Sequence, residues 1–295
     1  MTGIIPLDKG ENCTSFKAVA TVRHILGEKK CGHTGTLDPM ATGVLPVAVG
    51  KATRFIELFP DKKKSYVATF KTGLRTDTLD IWGKVLEETG KEASFEDVLL
   101  LLPDFRGKIN QIPPMYSALK KDGVRLYELA RRGETVERES RECEIFSLEA
   151  EKLCGGETKL FVTCSEGTYI RTLISDIGDR LGIGAVMTSL RRTSACSLEI
   201  SSCITLEELH SHAENGTLSD VIIPVEKMML TYPSLNVTKP QGTRFLNGGE
   251  LSRNRINDKG ISGFVRVYCE EEFIGIGELS EESDSLTVKR VYSEG

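Results

Sequence analysis

The sequence predicts an α+β protein, on the evidence of two periodicities that interleave. Apolar and polar residues alternate in segments 64–71 and 160–164, as in half-buried β-strands. Apolar residues recur at intervals of three and four in segments 14–27 and 168–182, as in amphipathic helices. Because strands and helices follow one another without a regular βαβ rhythm, an α+β fold is favoured over a doubly wound parallel sheet.

The first helix is predicted between Thr14 and Gly27. Thr14 or Ser15 can cap its first turn, because a side-chain hydroxyl accepts from amides that have no partner inside the helix. Gly27 can end the helix in the left-handed conformation. The apolar residues expected to face the core are Phe16, Val19, Val22 and Leu26.

A structured loop is predicted next, leading into a short apolar strand at 44–49. Glycines and prolines interrupt any helical or strand pattern here, at Gly32, Gly35, Pro39, Gly43, Pro46 and Gly50. Further on, Ser94 and Asp97 form a capping-box pattern for a short helix that ends before Pro103.

The strand at 160–164 leads through Glu166, Gly167 and Thr168 into a second long helix. Gly182 can cap its end. The helix has apolar positions at Ile170, Leu173, Ile174, Ile177 and Leu181.

The pattern of apolar and polar residues changes after about residue 235. Beyond it, short apolar runs at 264–268, 273–276 and 286–291 lie between polar turns. Such a pattern is typical of a small β-barrel-like module. We therefore predict a boundary near Pro233, with one domain over 1–233 and a second over 234–295.

Composition excludes several classes of protein. Hydrophobic residues make up 39% of the 295 residues and charged residues 27%, as in ordinary globular proteins. There is no apolar run of transmembrane length and no signal-peptide pattern at the N-terminus. The eight cysteines include no C-x-x-C pair, so neither a zinc site nor a disulfide framework is indicated. We expect reduced thiols in a cytoplasmic protein without membrane contact.

The distribution of charge favours a basic working face in spite of a net charge of −5. Segment 113–133 is rich in cations, which are Lys120, Lys121, Arg125, Arg131 and Arg132. Acidic residues cluster near the C-terminus, at Glu270, Glu271, Glu272, Glu278, Glu281, Glu282 and Asp284. A solvated surface without function would show similar charge runs, so this pattern alone leaves both interpretations open.

The most informative segment is 32–46, GHTGTLDPMATGVLP. Pro39 restricts Asp38 to extended geometry and so holds its carboxylate rigidly. An aspartate before proline is commonly a plain turn residue, which is the structural alternative to a catalytic group. A phosphate-binding glycine loop is a weaker alternative, because neither G-x-x-x-x-G-K-[ST] nor G-x-G-x-x-G is present.

This segment, extended to GHTGTLDPMATGVLPVAVGKATRF, resembles the catalytic segment of the bacterial tRNA pseudouridine synthase B family. Three further stretches resemble the same family in the same order: KKSYVATFKTGLRTDTLD, PPMYSALKKDGVRLYELARRG and GTYIRTLISDIGDRLGIGAVMTSLRR. Together they span most of residues 1–195. The resemblance implies a mixed, largely antiparallel central sheet flanked by helices and loops, followed by a β-rich C-terminal domain of the PUA type.

The resemblance also implies an activity, the isomerisation of uridine 55 in the T-loop of tRNA, with no cofactor and no metal. Asp38 matches the essential catalytic carboxylate, either as a nucleophile or as a base that abstracts a ribose proton. Arg171 matches its cationic partner and is placed here in the first turn of a helix, where the macrodipole disfavours cations. An exposed arginine is the alternative for Arg171.

Other residues are assigned by the same resemblance. Tyr66 matches the tyrosine that stacks on the target base and is proposed to help remove the C5 proton; a core tyrosine is its alternative. Leu190 and Tyr169 match the pocket wall. His33 matches the histidine that wedges into the RNA once the base is flipped. Lys9 lies in an N-terminal RNA-contacting motif, in which Asn12 replaces the usual glycine.

Segment 113–136 resembles the family's mobile thumb, whose cations engage phosphates without reading sequence. The partner implied is the T-loop and stem of tRNA, with the C-terminal domain reaching toward the acceptor arm and the protein acting as a monomer. The first alternative is a non-catalytic RNA-binding or tRNA-folding chaperone on this scaffold. The second is a related synthase working with guide RNA, which lacks a thumb of this kind.

Overall fold

The structure is a computed structural model, which describes residues 1–257, 260–280 and 284–293. The helices of these residues are α1 (Ser15–Leu26), α2 (Phe95–Leu101), α3 (Leu126–Arg131), α4 (Ile170–Arg180), α5 (Leu206–Glu214) and α6 (Lys239–Leu246). The strands up to residue 199 are β1 (Gly3–Lys9), β2 (Cys31–His33), β3 (Thr42–Val49), β4 (Lys64–Thr72), β5 (Leu74–Thr76), β6 (Val85–Glu88), β7 (Gly107–Gln111), β8 (Lys120–Lys121), β9 (Val124–Arg125), β10 (Arg141–Lys152), β11 (Glu157–Cys164), β12 (Ala185–Ala195) and β13 (Leu198–Glu199). The later strands are β14 (Ser234–Val237), β15 (Leu251–Ser252), β16 (Gly263–Cys269), β17 (Glu272–Leu279) and β18 (Ser285–Val291).

A large mixed sheet organises the first part of the chain in the order β1-β3-β12-β4-β11-β10-β7, with β2 paired to β3 and β13 to β12. All these pairs are antiparallel except β3 with β12, which run parallel where Thr42 faces Arg191. The predicted α+β class with a largely antiparallel central sheet is thereby confirmed.

The apolar core of this sheet is formed by the residues that the alternation singled out. Tyr66, Ala68 and Phe70 point inward from β4, and Leu160 and Val162 point inward from the neighbouring β11. Helix α4 packs its apolar stripe against the same core, through Leu173, Ile174 and Ile177. The sheet therefore has a buried face, and α4 delivers its N-terminus to the edge of that face.

Helix α1 begins and ends where the sequence predicted. Thr14 caps it by accepting from the amide of Lys17 at 3.1 Å, and Gly27 ends it with a φ of 62°. Its predicted apolar face is wrong at Phe16, whose side chain is 80% exposed. The other predicted positions do face the core: Val22 is buried, and Val19 and Leu26 pack against the core. In the first turn the inward position is taken by Ser15, which makes polar contacts with Leu37 beneath the helix.

The loop predicted to precede the strand at 44–49 is shorter in the structure. Residues 31–33 form strand β2, in which Gly32 faces Ala48 of β3, and β3 already begins at Thr42. Glycine and proline are tolerated here because strand pairing over the buried β3 outweighs their weak strand propensity. The remaining loop, 34–41, is held at both ends by this pairing.

Ser234 opens a second sheet, in the order β14-β16-β17-β18-β15, in which only β14 and β16 are parallel. The three predicted apolar runs lie within β16, β17 and β18. Aromatic rings join this second sheet to the first part of the chain, since Phe55, in the helical turn Gly50–Leu58 after β3, lies 6.4 Å from Phe273 of β17 and 6.1 Å from Tyr292 between ring centroids. Of the acidic cluster, Glu281 and Glu282 lie outside the described residues.

Candidate active site

The loop that carries Asp38 is held in place by buried side chains from α1 and β12. Ser15 accepts from the amide of Leu37 at 2.8 Å and donates to its carbonyl oxygen at 3.0 Å. The guanidinium of Arg192 spans the loop, with Nε donating to the Val44 carbonyl at 2.7 Å and Nη2 to the Gly35 carbonyl at 3.1 Å. Both Ser15 and Arg192 are buried, so these bonds form in a setting where water competes little.

Arg171 approaches Asp38 from the start of α4 and binds its carboxylate with two parallel bonds. Nε lies 2.9 Å from Oδ2 and Nη2 lies 3.1 Å from Oδ1. The same guanidinium donates to the carbonyls of Thr78 at 2.8 Å and Tyr116 at 2.7 Å. Bidentate pairing of this kind fixes both distance and plane.

The two side chains of this pair differ in their exposure to solvent. The side chain of Arg171 is 5% exposed and that of Asp38 is 32% exposed, so the carboxylate is open toward a ligand while its partner is enclosed. A second carboxylate, Asp80, lies 3.9 Å from Arg171. Burial raises the pKa of Asp80, although the Thr78 hydroxyl and Arg171 oppose that shift. Arg171 is therefore compensated within the protein, and Asp38 is the partner that faces outward.

A cavity of about 280 Å³ opens above this pair. Its walls include Asp38, Arg171, Tyr66, Leu190 and Tyr169, which the structure thus brings to one place from the loop, the start of α4, β4 and β12. Ser117, Ala118 and Leu119 close one side, immediately before the first cations of segment 113–136. Tyr169 is held there through its backbone, whose amide donates to Gln111 Oε1 at 3.0 Å and whose carbonyl accepts from Nε2 at 3.3 Å.

Tyr66 lies on β4 directly opposite Arg192 of β12 and is 8% exposed. Burial raises the pKa of its phenol, and the neighbouring Arg192 guanidinium only partly counteracts this. The hydroxyl is therefore protonated at neutral pH, and its ring forms part of the cavity wall.

His33 ends β2 rather than lying in a free loop, and its Nδ1 is buried without a hydrogen-bond partner in the part of the chain that the structure describes. Burial lowers the pKa of His33, and the cations Arg192 and Lys64 lower it further. The imidazole is therefore neutral at physiological pH, which suits stacking better than a phosphate contact.

Lys9 does not support the RNA contact that we expected of it. Its side chain is almost fully buried, and Nζ donates to the carbonyls of Gly10 at 2.8 Å, Cys13 at 2.6 Å and Pro39 at 3.4 Å. Lys9 thus ties the N-terminal turn to the loop of Asp38. Within that turn Asn12 has a φ of 57°, so asparagine keeps the positive φ for which glycine is usual.

The five cations of the basic segment are all exposed at the surface. Arg125 and Arg131 lie over the ring of Tyr127, at 5.8 Å and 5.4 Å from its centroid. Lys121 donates to the carbonyl of Glu137 at 2.7 Å. The side chains of Lys120 and Arg132 make no such contacts among the described residues.

Sequence reasoning missed Ser15 as an anchor of the loop, and it missed Arg192, Gln111 and Asp80 altogether. A polar residue in a strand or turn is usually exposed, so nothing in the local pattern marked them. The described ranges contain neither a cluster of metal-ligating side chains nor a helix of membrane-spanning length. No group of His, Cys, Asp and Glu there could hold a metal ion, and no helix there is long and apolar enough to cross a bilayer.

Comparison with known proteins assigns the chain to a family. Residues 23–170 match the TruB family pseudouridylate synthase (N terminal domain), residues 171–230 match the tRNA pseudouridylate synthase B C-terminal domain, and residues 233–292 match the pseudouridine synthase II TruB C-terminal domain. The chain belongs to the TruB family of pseudouridine synthases. It is accordingly an RNA pseudouridine synthase, an isomerase.

Individual relatives agree with this assignment. The tRNA pseudouridine synthase B of Pseudomonas fluorescens is 44% identical over 298 residues, covering 100% of this chain and 97% of the relative. The protein of that name from Clostridium tetani is 43% identical over 284 residues, covering 96% of this chain and 97% of the relative.

Solved structures show the same fold. A Cbf5-Nop10-Gar1 complex contains a chain with a TM-score of 0.76 and 28% identity, covering 98% of this chain and 84% of that one. An H/ACA RNP bound to a substrate RNA containing 2′-deoxyuridine contains a chain with a TM-score of 0.74 and 26% identity, covering 99% and 85%. The likeness thus extends over both sheets.

Proposed function

We propose that this protein converts uridine 55 in the T-loop of tRNA to pseudouridine. The relatives that it matches at 43–44% identity carry the name tRNA pseudouridine synthase B, which supports tRNA as the substrate. The observation that carries the proposal is the bidentate pair of Asp38 and Arg171 at the floor of a cavity walled by Tyr66. A non-catalytic RNA chaperone has no use for a rigid carboxylate that opens into a cavity.

Asp38 is the group proposed to start the reaction. The reaction needs the ionised carboxylate, either to attack carbon as a nucleophile or to take a ribose proton as a base. Two charge-assisted bonds from Arg171 hold the carboxylate and fix its direction. Both routes stay open, because both use the same carboxylate in the same place.

The bond changes balance without any external reagent. The glycosidic electron pair leaves C1′ with N1, the base turns within the cavity, and a new bond forms between C5 and C1′. The proton on C5 then departs, and N1 gains one. The change is therefore an isomerisation that the residues around one cavity can guide.

Tyr66 is proposed to stack on the detached base while it turns. Its ring lies in the cavity wall, and aromatic stacking holds a flipped base without fixing its rotation. The raised pKa of the phenol weighs against Tyr66 as the base that removes the C5 proton, because a protonated phenol cannot accept one. Stacking is thus the better-supported part of the role implied by the family.

RNA binding is proposed to involve three further regions. His33, as a neutral imidazole, is suited to fill the space that the flipped nucleotide leaves. The surface cations of segment 113–136 are suited to phosphates of the T-stem, since Ser117 and Leu119 of the same segment line the cavity. The sheet that begins at Ser234 is proposed as a PUA-like domain that contacts the acceptor arm.

The proposal is tested with unmodified tRNA transcripts labelled with [5-³H]uridine. We expect tritium release, and we expect pseudouridine at position 55 when the product is mapped by carbodiimide modification and primer extension. A transcript with cytidine at position 55 is the matched control and should release no tritium. Release that persists with the control transcript would refute the assignment of position 55, and a folded protein that binds tRNA without any release would leave the chaperone alternative.

A further inference from the structure

Lys64 is a cation of the cavity that the proposed chemistry leaves unused. It is the first residue of β4, two residues before Tyr66, and it lines the same cavity as Asp38. Its side chain is half-buried. Among the described residues its ammonium makes no hydrogen bond and no salt bridge.

A second cation lies behind it. Arg192 is 1% exposed, and its Nε and Nη2 donate to backbone carbonyls. The guanidinium also acts on the neighbouring Tyr66 hydroxyl, but Nη1 has no hydrogen-bond partner of good geometry within the described ranges. A Cβ added to Gly35 would lie 3.0 Å from Lys64 Nζ and 3.7 Å from Arg192 Nη1. Both cationic groups therefore face the same bare stretch of backbone, next to the loop of Asp38.

Among the described residues, no carboxylate forms a salt bridge with Lys64 or Arg192. Asp38 is engaged by Arg171, and Glu166 acts on Lys64 only from beyond salt-bridge distance. Burial and the charge of Arg192 lower the pKa of Lys64, and both cations lower the pKa of His33. Burying a cation without a neighbouring negative charge costs free energy, so a ligand that supplies negative charge would be stabilised beside Lys64 and Arg192.

We propose that Lys64, backed by Arg192, binds a phosphodiester group that flanks the flipped uridine. This inference rests on the proposed function and adds a subsite to it. A nucleotide whose base enters the cavity brings a phosphodiester on either side of its sugar, and Lys64 is a cation of the cavity wall with no partner among the described residues. Contact with that phosphate fixes the sugar relative to Asp38, which orients C1′ for reaction.

The test removes one charge from each side of the contact. T-arm stem-loop RNAs carry a neutral methylphosphonate at the 5′ or the 3′ phosphate of the target uridine, and dissociation constants are measured for the wild type, Lys64→Gln, Lys64→Arg and Lys63→Gln. Lys63 is the matched control, since it is exposed and lies over the ring of Phe146 at 4.6 Å rather than in the cavity.

We expect Lys64→Gln to weaken binding of the all-phosphate RNA by about tenfold to a hundredfold, as for a charge-assisted hydrogen bond. The slope of log K against log salt should fall by about 0.7, as for one contact to a single strand. At one of the two phosphate positions, the methylphosphonate should weaken RNA binding by the wild type but not RNA binding by Lys64→Gln. Lys64→Arg should recover part of the affinity, and Lys63→Gln should behave as the wild type.

Two results would overturn the inference. One is a methylphosphonate penalty at both positions that is as large in Lys64→Gln as in the wild type. The other is a clear fall in the melting temperature of Lys64→Gln, which would reveal a structural partner for the ammonium. Because affinity is read directly, failure of this subsite differs from failure of the proposed function, which would show as absent pseudouridine with the wild type and the all-phosphate RNA.

Discussion

The Asp38 site and the basic segment 113–136 both place charge toward RNA, yet they are built in opposite ways. At the site, Asp38 is held by a buried arginine, and its loop is pinned by Ser15, Lys9 and Arg192. In the basic segment the cations lie at the surface, and several rest only on a tyrosine ring or a carbonyl.

The difference follows from what each region must do. Chemistry at one carbon requires an atom fixed to within a fraction of an ångström, which buried and redundant bonds provide. Binding of phosphates needs charge but little direction, so flexible exposed side chains are sufficient. Substitutions at the site should therefore change the rate, and substitutions in the basic segment should change the affinity.

The largest effect is expected for Asp38→Asn. Removal of the carboxylate should lower the rate of tritium release by about a thousandfold or more, as when an acid–base or nucleophilic group is replaced. RNA affinity should change little, because the amide keeps the shape of the side chain. Asp104→Asn is the matched control, on an exposed aspartate paired with Arg180. A variant at position 38 that retains most of the wild-type rate would show that another group starts the reaction.

Arg171→Lys should have the next largest effect. Lysine keeps the charge but not the bidentate geometry, so the rate should fall by about a hundredfold through misplacement of Asp38. The carbonyls of Thr78 and Tyr116 would be left without this donor, which should reduce the free energy of unfolding by about 1–3 kcal/mol.

Arg180→Lys is the control for that experiment, because Arg180 forms an exposed pair with Asp104 at 2.7 Å. Its unfolding free energy should change by about 0.5 kcal/mol or less, as for other surface pairs. Chemical denaturation and single-turnover kinetics measure the two effects separately. Equal decreases in the two variants would contradict the contrast between buried and exposed pairing.

Smaller effects are expected for Lys120→Gln with Arg132→Gln in the basic segment. The double variant should raise KM several-fold with little change in kcat. The slope of the logarithm of its binding constant against the logarithm of salt concentration should fall in magnitude by about 0.7–0.9 for each phosphate that the variant no longer binds. Lys152→Gln, on an exposed lysine at the end of β10, is the control. A fall in kcat at saturating RNA would assign the basic segment a part in the chemistry.

The smallest effect is expected at Asp176, on the helix that carries Arg171. Burial, with help from Asp179, raises the pKa of Asp176 to about 6. The folded state thus holds this proton more tightly than the unfolded state, so the ionised form costs stability at neutral pH. Asp176→Asn should raise the free energy of unfolding by about 1–2 kcal/mol at pH 7.5, with activity unchanged.

That gain should disappear as the pH falls. Near pH 4 the wild-type carboxyl is protonated in the folded state and the unfolded state has begun to bind the same proton, so most of the difference in stability between the two proteins should be gone. Thermal unfolding between pH 4 and pH 8 measures this. A gain that stays constant over the whole range would show that it does not come from the charge of Asp176.

Local chemistry in the sequence determined the elements and the principal candidate residue. Thr14 and Gly27 bounded α1, Ser94 and Asp97 began α2, and alternation marked β4, because caps and periodicity depend on residues only a few positions apart. The motif around Asp38, and with it the family, is likewise a local string of residues.

Tertiary structure alone decided which polar residues became internal. Lys9 is predicted to contact RNA, yet it is buried because three carbonyls of the folded turns meet at its ammonium. Phe16 is predicted to face the core, yet it is exposed because Ser15 fills the place beneath α1. Arg192 lies under the loop of Asp38 because β3 and β12 run side by side, a pairing between residues nearly 150 positions apart in sequence. Such contacts exist only once the sheet has formed, so no pattern within one segment could reveal them.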